Sequence, residues 1–405
     1  MKNKSTMRRS INTIFILLLF VLLAAFPSLL FSQAVRIEEA PFVPMSPEVM
    51  AQGGSFVGAA HGYNALFYNP AGFAEKGGSI TISSLNFWMY ANPVRAWEFL
   101  KGFSSPGPDM IALINDQVVS GGFGIGASAG IGIVGRGLGL GAAFIMDSYL
   151  YGPTMLGIEG DISGTVGFIG GLALPVNLFG IRFKFGGDVR PMVRVHAPLP
   201  NSDALSLITS FATGGDIMTA LNSAKAYHGF GLGVDLGASI ALGPIKAGIA
   251  VRDLGGTRFY YSENTFGDIV TSFQNQGGFP EGSPVPTDQY EYVIPMNVSG
   301  GVVFHPDLGV LRFIIDPMVH ADLQDLVGVI RDKRSPWTLL HIGSEVKLLS
   351  LFSVRAGLNQ GYITVGGGVK LLFLDFNFAV FTRELGKHVG DIPNSGVTVE
   401  AALRL

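Results

Sequence analysis

Cysteine is missing from all 405 residues. Its absence excludes a disulfide framework, a thiol nucleophile and a thiolate metal site. Charge is scarce as well, at 14% of residues, where a soluble domain carries about a quarter. Mean hydropathy is +0.40, which points to a membrane. Yet beyond residue 31 no apolar run reaches the roughly 18 residues of a membrane-crossing helix. The 7 histidines form no HExxH pair, and no Ser/His/acid set can be assembled from spacing. The Gly-rich runs 122–126 and 135–139 sit in strands or a hairpin rather than ahead of a helix, so they are not nucleotide loops. No enzyme, cofactor or metal site is expected.

What is present begins with an export signal. Lys2, Lys4, Arg8 and Arg9 precede an apolar stretch from Ile14 to Ala25, and Ser32-Gln33-Ala34 offers small residues where a signal peptidase reads. Residues 1–34 are therefore expected to be a cleavable signal peptide. The alternative is an uncleaved anchor, since Ile11–Phe31 nearly has the length to span. Loss of the four basic signal residues takes the net charge from −3 to −7, which argues against nucleic acid as a partner.

Most of residues 79–405 alternate. Ile181, Phe183, Phe185 and Val189 fall on one face, and Arg182, Lys184, Asp188 and Arg190 on the other, because strand side chains repeat with period 2. Val397, Val399, Ala401 and Leu403 oppose Thr398, Glu400 and Arg404 in the same way. About fourteen strands can be placed, centred near residues 84, 127, 143, 168, 185, 234, 250, 298, 314, 342, 355, 366, 378 and 400. Their connections alternate between short turns, such as Val134–Gly137, Leu242–Pro244, His305–Gly309 and Leu348–Leu351, and long loops, such as Asn92–Ser120, Ala197–Ala224 and Asp322–Pro336. Short turns on one rim and long loops on the other predict an antiparallel transmembrane β-barrel of the outer membrane, with periplasmic turns. Trp88, Tyr90, Tyr149, Tyr151, Tyr227, Tyr260, Tyr261, Tyr290, Tyr292 and Trp337 gather at the long-loop ends, as an interfacial girdle would. Phe179, Phe304, Phe352 and Phe373 sit near the short turns. Pro191, Pro295 and Pro317 fall inside strands, so each must mark a bulge or a strand end.

Residues 35–78, between signal and barrel, are rich in small and apolar residues and costly to leave in water. They are expected to fill the lumen as a plug; the alternative is a periplasmic tail packed on the rim. Within them, Asn64-Ala65-Leu66-Phe67-Tyr68-Asn69-Pro70-Ala71-Gly72-Phe73-Ala74, following Gly53-Gly54-Ser55-Phe56-Val57-Gly58-Ala59, resembles the N-terminal signature of the FadL/PorV superfamily of outer-membrane proteins. The segments 341–345, 354–359, 366–370, 375–379 and 384–386 resemble the closing strands of PorV-like and spirochaete members. The middle of the chain matches only in style. The resemblance implies a fourteen-stranded barrel with an N-terminal hatch, and it carries the hatch motif onto Asn69, Pro70 and Ala71. It also implies passive uptake of a hydrophobic small molecule, such as a long-chain fatty acid. PorV-like relatives imply a second reading, a barrel that docks secreted cargo or supports envelope assembly without transport. Either protein would sit among outer-membrane lipid and be inserted by the barrel-assembly machinery. One departure is the C-terminal Leu405, where many barrels end in an aromatic residue.

Ligand-contact candidates are Phe67, Tyr68 and Phe73 in the plug, and Trp97, Leu205, Ile208 and Phe211 in loops with helical apolar spacing, where Asn201 caps one helix and 93–103 forms another. The loops either form an apolar capture groove or simply pack on each other. Inward charges such as Arg182, Lys184, Asp188, Arg190 and Arg355 either steer a carboxylate or pair within a solvated lumen.

Overall fold

The computed structural model describes residues 34–92, 108–154, 157–178 and 181–405. The expected signal peptide lies outside them except for Ala34. The chain starts with the short strand Val35–Glu38 (β1). The wall is then built from Ser79–Tyr90 (β2), Gly124–Gly135 (β3), Leu138–Tyr151 (β4), Glu159–Leu178 (β5), Ile181–Leu199 (β6) and Lys225–Leu242 (β7). Ile245–Arg252 (β8) and Thr257–Thr265 (β9) form one interrupted wall strand. After the two-residue Ser283–Pro284 (β10), Tyr290–Ile294 (β11) and Asn297–Phe304 (β12) form another. Ile315–Leu323 (β13), Leu340–Leu348 (β14), Phe352–Asn359 (β15), Tyr362–Leu371 (β16), Leu374–Glu384 (β17) and Pro393–Arg404 (β18) complete it. Neighbouring wall strands pair antiparallel, β1 adds to β11 in parallel, and β18 pairs with β2, so the sheet closes as a barrel of 14 wall strands.

The barrel is apolar outside and polar inside. On β2, Ile80, Ile82, Leu85 and Phe87 are exposed while Thr81, Ser84, Asn86 and Trp88 are buried. The alternation slips between Thr81 and Ser84, where a bulge shifts the register. On β6, Phe185 and Val189 face out while Lys184, Asp188 and Arg190 are buried. An exposed Leu, Ile or Phe forgoes about 1.5–3 kcal/mol of burial in water. So many on one surface are stable only against hydrocarbon, as the alternation implied. No helix among the described residues is long and apolar enough to cross a membrane.

Each expected strand centre falls within a strand except 314, which precedes β13; there Gly309–Phe313 forms a 3-10 turn. The region 322–336 was expected to be loop, but Asp322 belongs to β13 and pairs with Gly301. The prolines act as expected. Pro295 divides β11 from β12, and Pro317 lies beyond the end of the β12–β13 ladder. At Pro191 the β5–β6 ladder skips from Gly167↔Met192 to Gly170↔Val189. The aromatic girdle is only half realised. Tyr151, Tyr260, Tyr290 and Trp337 are exposed at the long-loop rim, but Trp88, Tyr90, Tyr261 and Tyr292 are buried inside it.

Candidate functional site

The segment after β1 is almost wholly buried, and it touches the inward face of strands all round the wall. The Glu39 carboxylate accepts from Arg194 Nη1 at 2.9 Å and the Tyr261 hydroxyl at 3.0 Å, and lies 3.1 Å from His196 Nδ1. Burial pushes this carboxyl up, but the His196 ring, Arg194 and Tyr261 together hold it down at about 2. Thr398 on β18 donates to Met45 O at 2.7 Å, and Thr364 on β16 donates to Ala51 O while accepting from Gly53 N. His320 on β13 bridges Gln52 Oε1 and Ser55 Oγ, at 2.7 and 2.8 Å. His341 Nδ1 lies 2.7 Å from Gly53 O. Asp322 accepts from two consecutive amides, Phe56 N at 2.6 Å and Val57 N at 2.7 Å. Lys184 Nζ meets Glu75 at 2.6 Å.

Asn69, Pro70 and Ala71 lie close against the wall. Asn69 turns extended into a 3-10 turn over Pro70–Ala74, its Oδ1 accepting from Ala71 N at 3.0 Å. Its amide donates to Val57 O at 3.0 Å, tying two stretches of the segment together. Glycines make room for it: a Cβ at Gly237 would overlap Asn69 Oδ1, and one at Gly186 would overlap Pro70 O. Phe67 is buried against Phe42 and Tyr63, with ring centroids 6.0 and 5.3 Å apart. Phe73 is buried against Gly139 and Gly171 of the wall. Tyr68 packs edge-on to Phe56 at 5.6 Å, and burial pushes its hydroxyl pKa up.

Above the segment, towards the long loops, lies a cavity of about 490 Å³. Phe42, Met45, Val57 and Tyr68 of the segment line it from one side, with Trp88, Ile145 and Ile294 of the wall. Four guanidinium groups also reach it, Arg194, Arg252, Arg334 and Arg383, together with carboxylates that include Glu39, Asp253 and Asp325. Arg334 pairs with Asp325 at 3.1 Å, and Arg383 stacks over Tyr90 with 4.9 Å to the ring centroid. Arg252 is less committed, its Nε 3.6 Å from Asp235.

Leu205 and Ile208 lie on the helix Asn201–Thr213, in an apolar cluster with Ile114, Val118, Ile158 and Leu199. They join the loops to one another and do not line the cavity. Phe211 belongs to the same helix. Trp97 and the helix expected over 93–103 lie outside the described residues. Further loop helices appear at Pro108–Gly121, Phe266–Gln276 and Leu326–Asp332. Of the inward charges, Arg190 is fully buried between Asp235 at 2.7 Å and Asp253 at 2.9 Å, with Asp188 at 3.9 Å. Arg355 pairs with Glu345 at 2.8 Å. Arg182 is half-buried at the short-turn end of β6. The lumen charges mostly pair with one another. Asp322, His320, His341, Thr364 and Thr398 escaped sequence reasoning. Asp322 read as the start of a loop, and the others carried only polarity within strands, shared with many residues that touch nothing in the N-terminal segment.

The fold and interior define a class: a transmembrane antiparallel β-barrel with a polar, largely occupied interior. No protein-family profile matches the sequence, and no curated protein does. Among solved structures the chain is similar to the Ralstonia pickettii toluene transporter TbuX, with 13% identity, 90% of this chain and 98% of that one covered, and a TM-score of 0.47. It is also similar to the Pseudomonas putida toluene transporter TodX, at 13% identity, 92% and 99% coverage and a TM-score of 0.41. A Pseudomonas aeruginosa FadL homologue matches at 12% identity, 90% and 99% coverage and a TM-score of 0.44.

Proposed function

We propose that this protein is an outer-membrane carrier for passive uptake of hydrophobic small molecules, with residues 35–78 acting as a plug that gates the lumen. The observation that carries the proposal is the cavity of about 490 Å³ floored by Phe42, Val57 and Tyr68. A ligand seated there meets the N-terminal segment, and passage requires that segment to shift. The segment is held to the wall by hydrogen bonds from individual side chains, among them Asp322, His320 and Thr364. Each such bond contributes only about 0.5–3 kcal/mol net, so rearrangement is affordable. The lining mixes apolar rings with Arg194, Arg252, Arg334, Arg383 and several carboxylates, which suits an amphiphile with a polar head, such as a long-chain fatty acid, better than a bare hydrocarbon. Export by a cleaved signal peptide and residence in the outer membrane complete the reading.

The test is uptake of labelled long-chain fatty acid into liposomes holding the intact protein, against Asn69→Ala and Asp322→Ala variants and protein-free liposomes. Uptake above the protein-free rate, altered by the two variants, is the expected result. No uptake by intact, folded protein sinks the proposal and leaves the cargo-docking role.

A further inference from the structure

The short-turn rim is not chemically uniform. At the β3–β4 turn the exposed residue is Arg136. At the β14–β15 turn the tip is Leu349-Ser350-Leu351, and at the β16–β17 turn it is Leu372-Phe373. Leu349 is 53% exposed, Leu372 87% and Phe373 49%. Beside them Val310 and Phe313 stand out from the 3-10 turn, which is joined to this patch by Leu349 N donating to Ile314 O at 2.9 Å. Two tip leucines are also in the left-handed region, with φ of 53° for Leu349 and 57° for Leu372. Asn and Gly take that conformation at lower cost and are the usual choice at a hairpin tip facing water.

Strand length explains why these tips are apolar. β14, β15 and β16 have 9, 8 and 10 residues, whereas β5, β6 and β7 have 20, 19 and 18. Crossing the hydrocarbon core takes roughly 9–11 tilted residues, so the short strands have none to spare. The long-loop ends of β15 and β16 meet in the polar turn Asn359-Gln360-Gly361, which must sit at the water boundary. The hydrocarbon therefore continues to the other end. Exposed Val354 is followed by Phe352 on β15, and exposed Val365 leads past Gly367 and half-buried Val369 to Leu371 and the turn tip on β16. Neither of the two leucine turns contains a Trp, Tyr or charged residue, the side chains that mark where water begins.

We infer that the β14–β17 side of the short-turn rim is a lipid-docking surface, its turns sunk among acyl chains of the periplasmic leaflet, which thins against this side of the barrel. The inference rests on reading the outer apolar band as lipid-facing. Because the chain has no native cysteine, the full-length protein can be labelled at single sites. Leu349→Cys, Leu372→Cys, Val365→Cys and Arg136→Cys would each carry an environment-sensitive fluorophore in phosphatidylcholine vesicles. Quenching by bromine on the acyl chains is then compared with quenching by iodide on both sides of the membrane. The expected result is that labels at 349 and 372 behave like the mid-band label at 365, quenched by bromine and shielded from iodide, while the label at 136 shows the reverse. If 365 is quenched by bromine but 349 and 372 respond to iodide like 136, the barrel reading stands and this inference fails. If 365 also escapes bromine, the lipid-facing band itself is wrong and the inference falls with it.

Discussion

Replacing Asp322 by alanine should loosen the N-terminal segment more than any other single change in the wall. One carboxylate oxygen of Asp322 accepts both Phe56 N and Val57 N, at 2.6 and 2.7 Å, and the residue is 1% exposed. Hydrogen bonds to a charged acceptor contribute about 1.5–3 kcal/mol each. Asp322→Ala therefore removes about 3–6 kcal/mol of attachment and strands two buried amides, since alanine offers no acceptor. Local opening of residues 52–60 should become roughly 10²–10⁴ times more frequent, with the strands themselves undisturbed. Asp322→Asn keeps a carbonyl acceptor without the charge and should lose about half as much. Amide hydrogen exchange of the reconstituted protein reads this directly. Exchange should accelerate at Phe56 and Val57 and stay unchanged in β14–β18. If both amides exchange within about threefold of wild type in Asp322→Ala, the carboxylate is not an anchor.

Asn69→Ala deletes the acceptor for Ala71 N and the donor to Val57 O; a cost of about 2–4 kcal/mol follows and should show as protease sensitivity near residue 70. Gly237→Ala places a methyl group against Asn69 Oδ1. Such overpacking costs about 1–3 kcal/mol, so the variant should raise fatty-acid flux or conductance without loss of the heat-resistant barrel band on gels. Glu39 has a folded-state pKa near 2, below the ordinary 4.5. Its contribution to stability is complete above the ordinary value and is lost as pH falls from there through about 2. Exchange around Glu39 and Ala40 should therefore accelerate across that window, and Glu39→Gln should be fast at neutral pH and show little further change.

Wall strands were legible because their signal is local. The split of Phe185 and Val189 from Lys184, Asp188 and Arg190 is a property of consecutive residues, and turn and loop lengths are read along the chain. Misplacements fell where local pattern was weakest. Apolar Val310, Leu311 and Phe313 looked like strand and form a 3-10 turn, because β12 ends before it could pair with them. Asp322 read as the first residue of the long connection to Pro336, yet in place it is a buried acceptor facing the N-terminal segment. The inward direction of Trp88 and Tyr90 was equally hidden, since a strand end shows which residues alternate but not which of the two faces lies on the lipid side.

Composition, alternation and connection lengths by themselves determined a closed antiparallel barrel of about fourteen strands with an apolar exterior, because period-2 side-chain placement is set within each strand. The motif around Asn69 marked which stretch to watch. Only the tertiary structure decided what that stretch touches. Asp322 meets Phe56 across 266 residues of chain, and Thr398 meets Met45 across 353. Such pairings depend on barrel closure and on the bulges that set register. A one-residue slip would turn every anchoring side chain to the lipid face. The same holds for the roof helices, whose apolar faces read equally well as a groove until their mutual packing is seen.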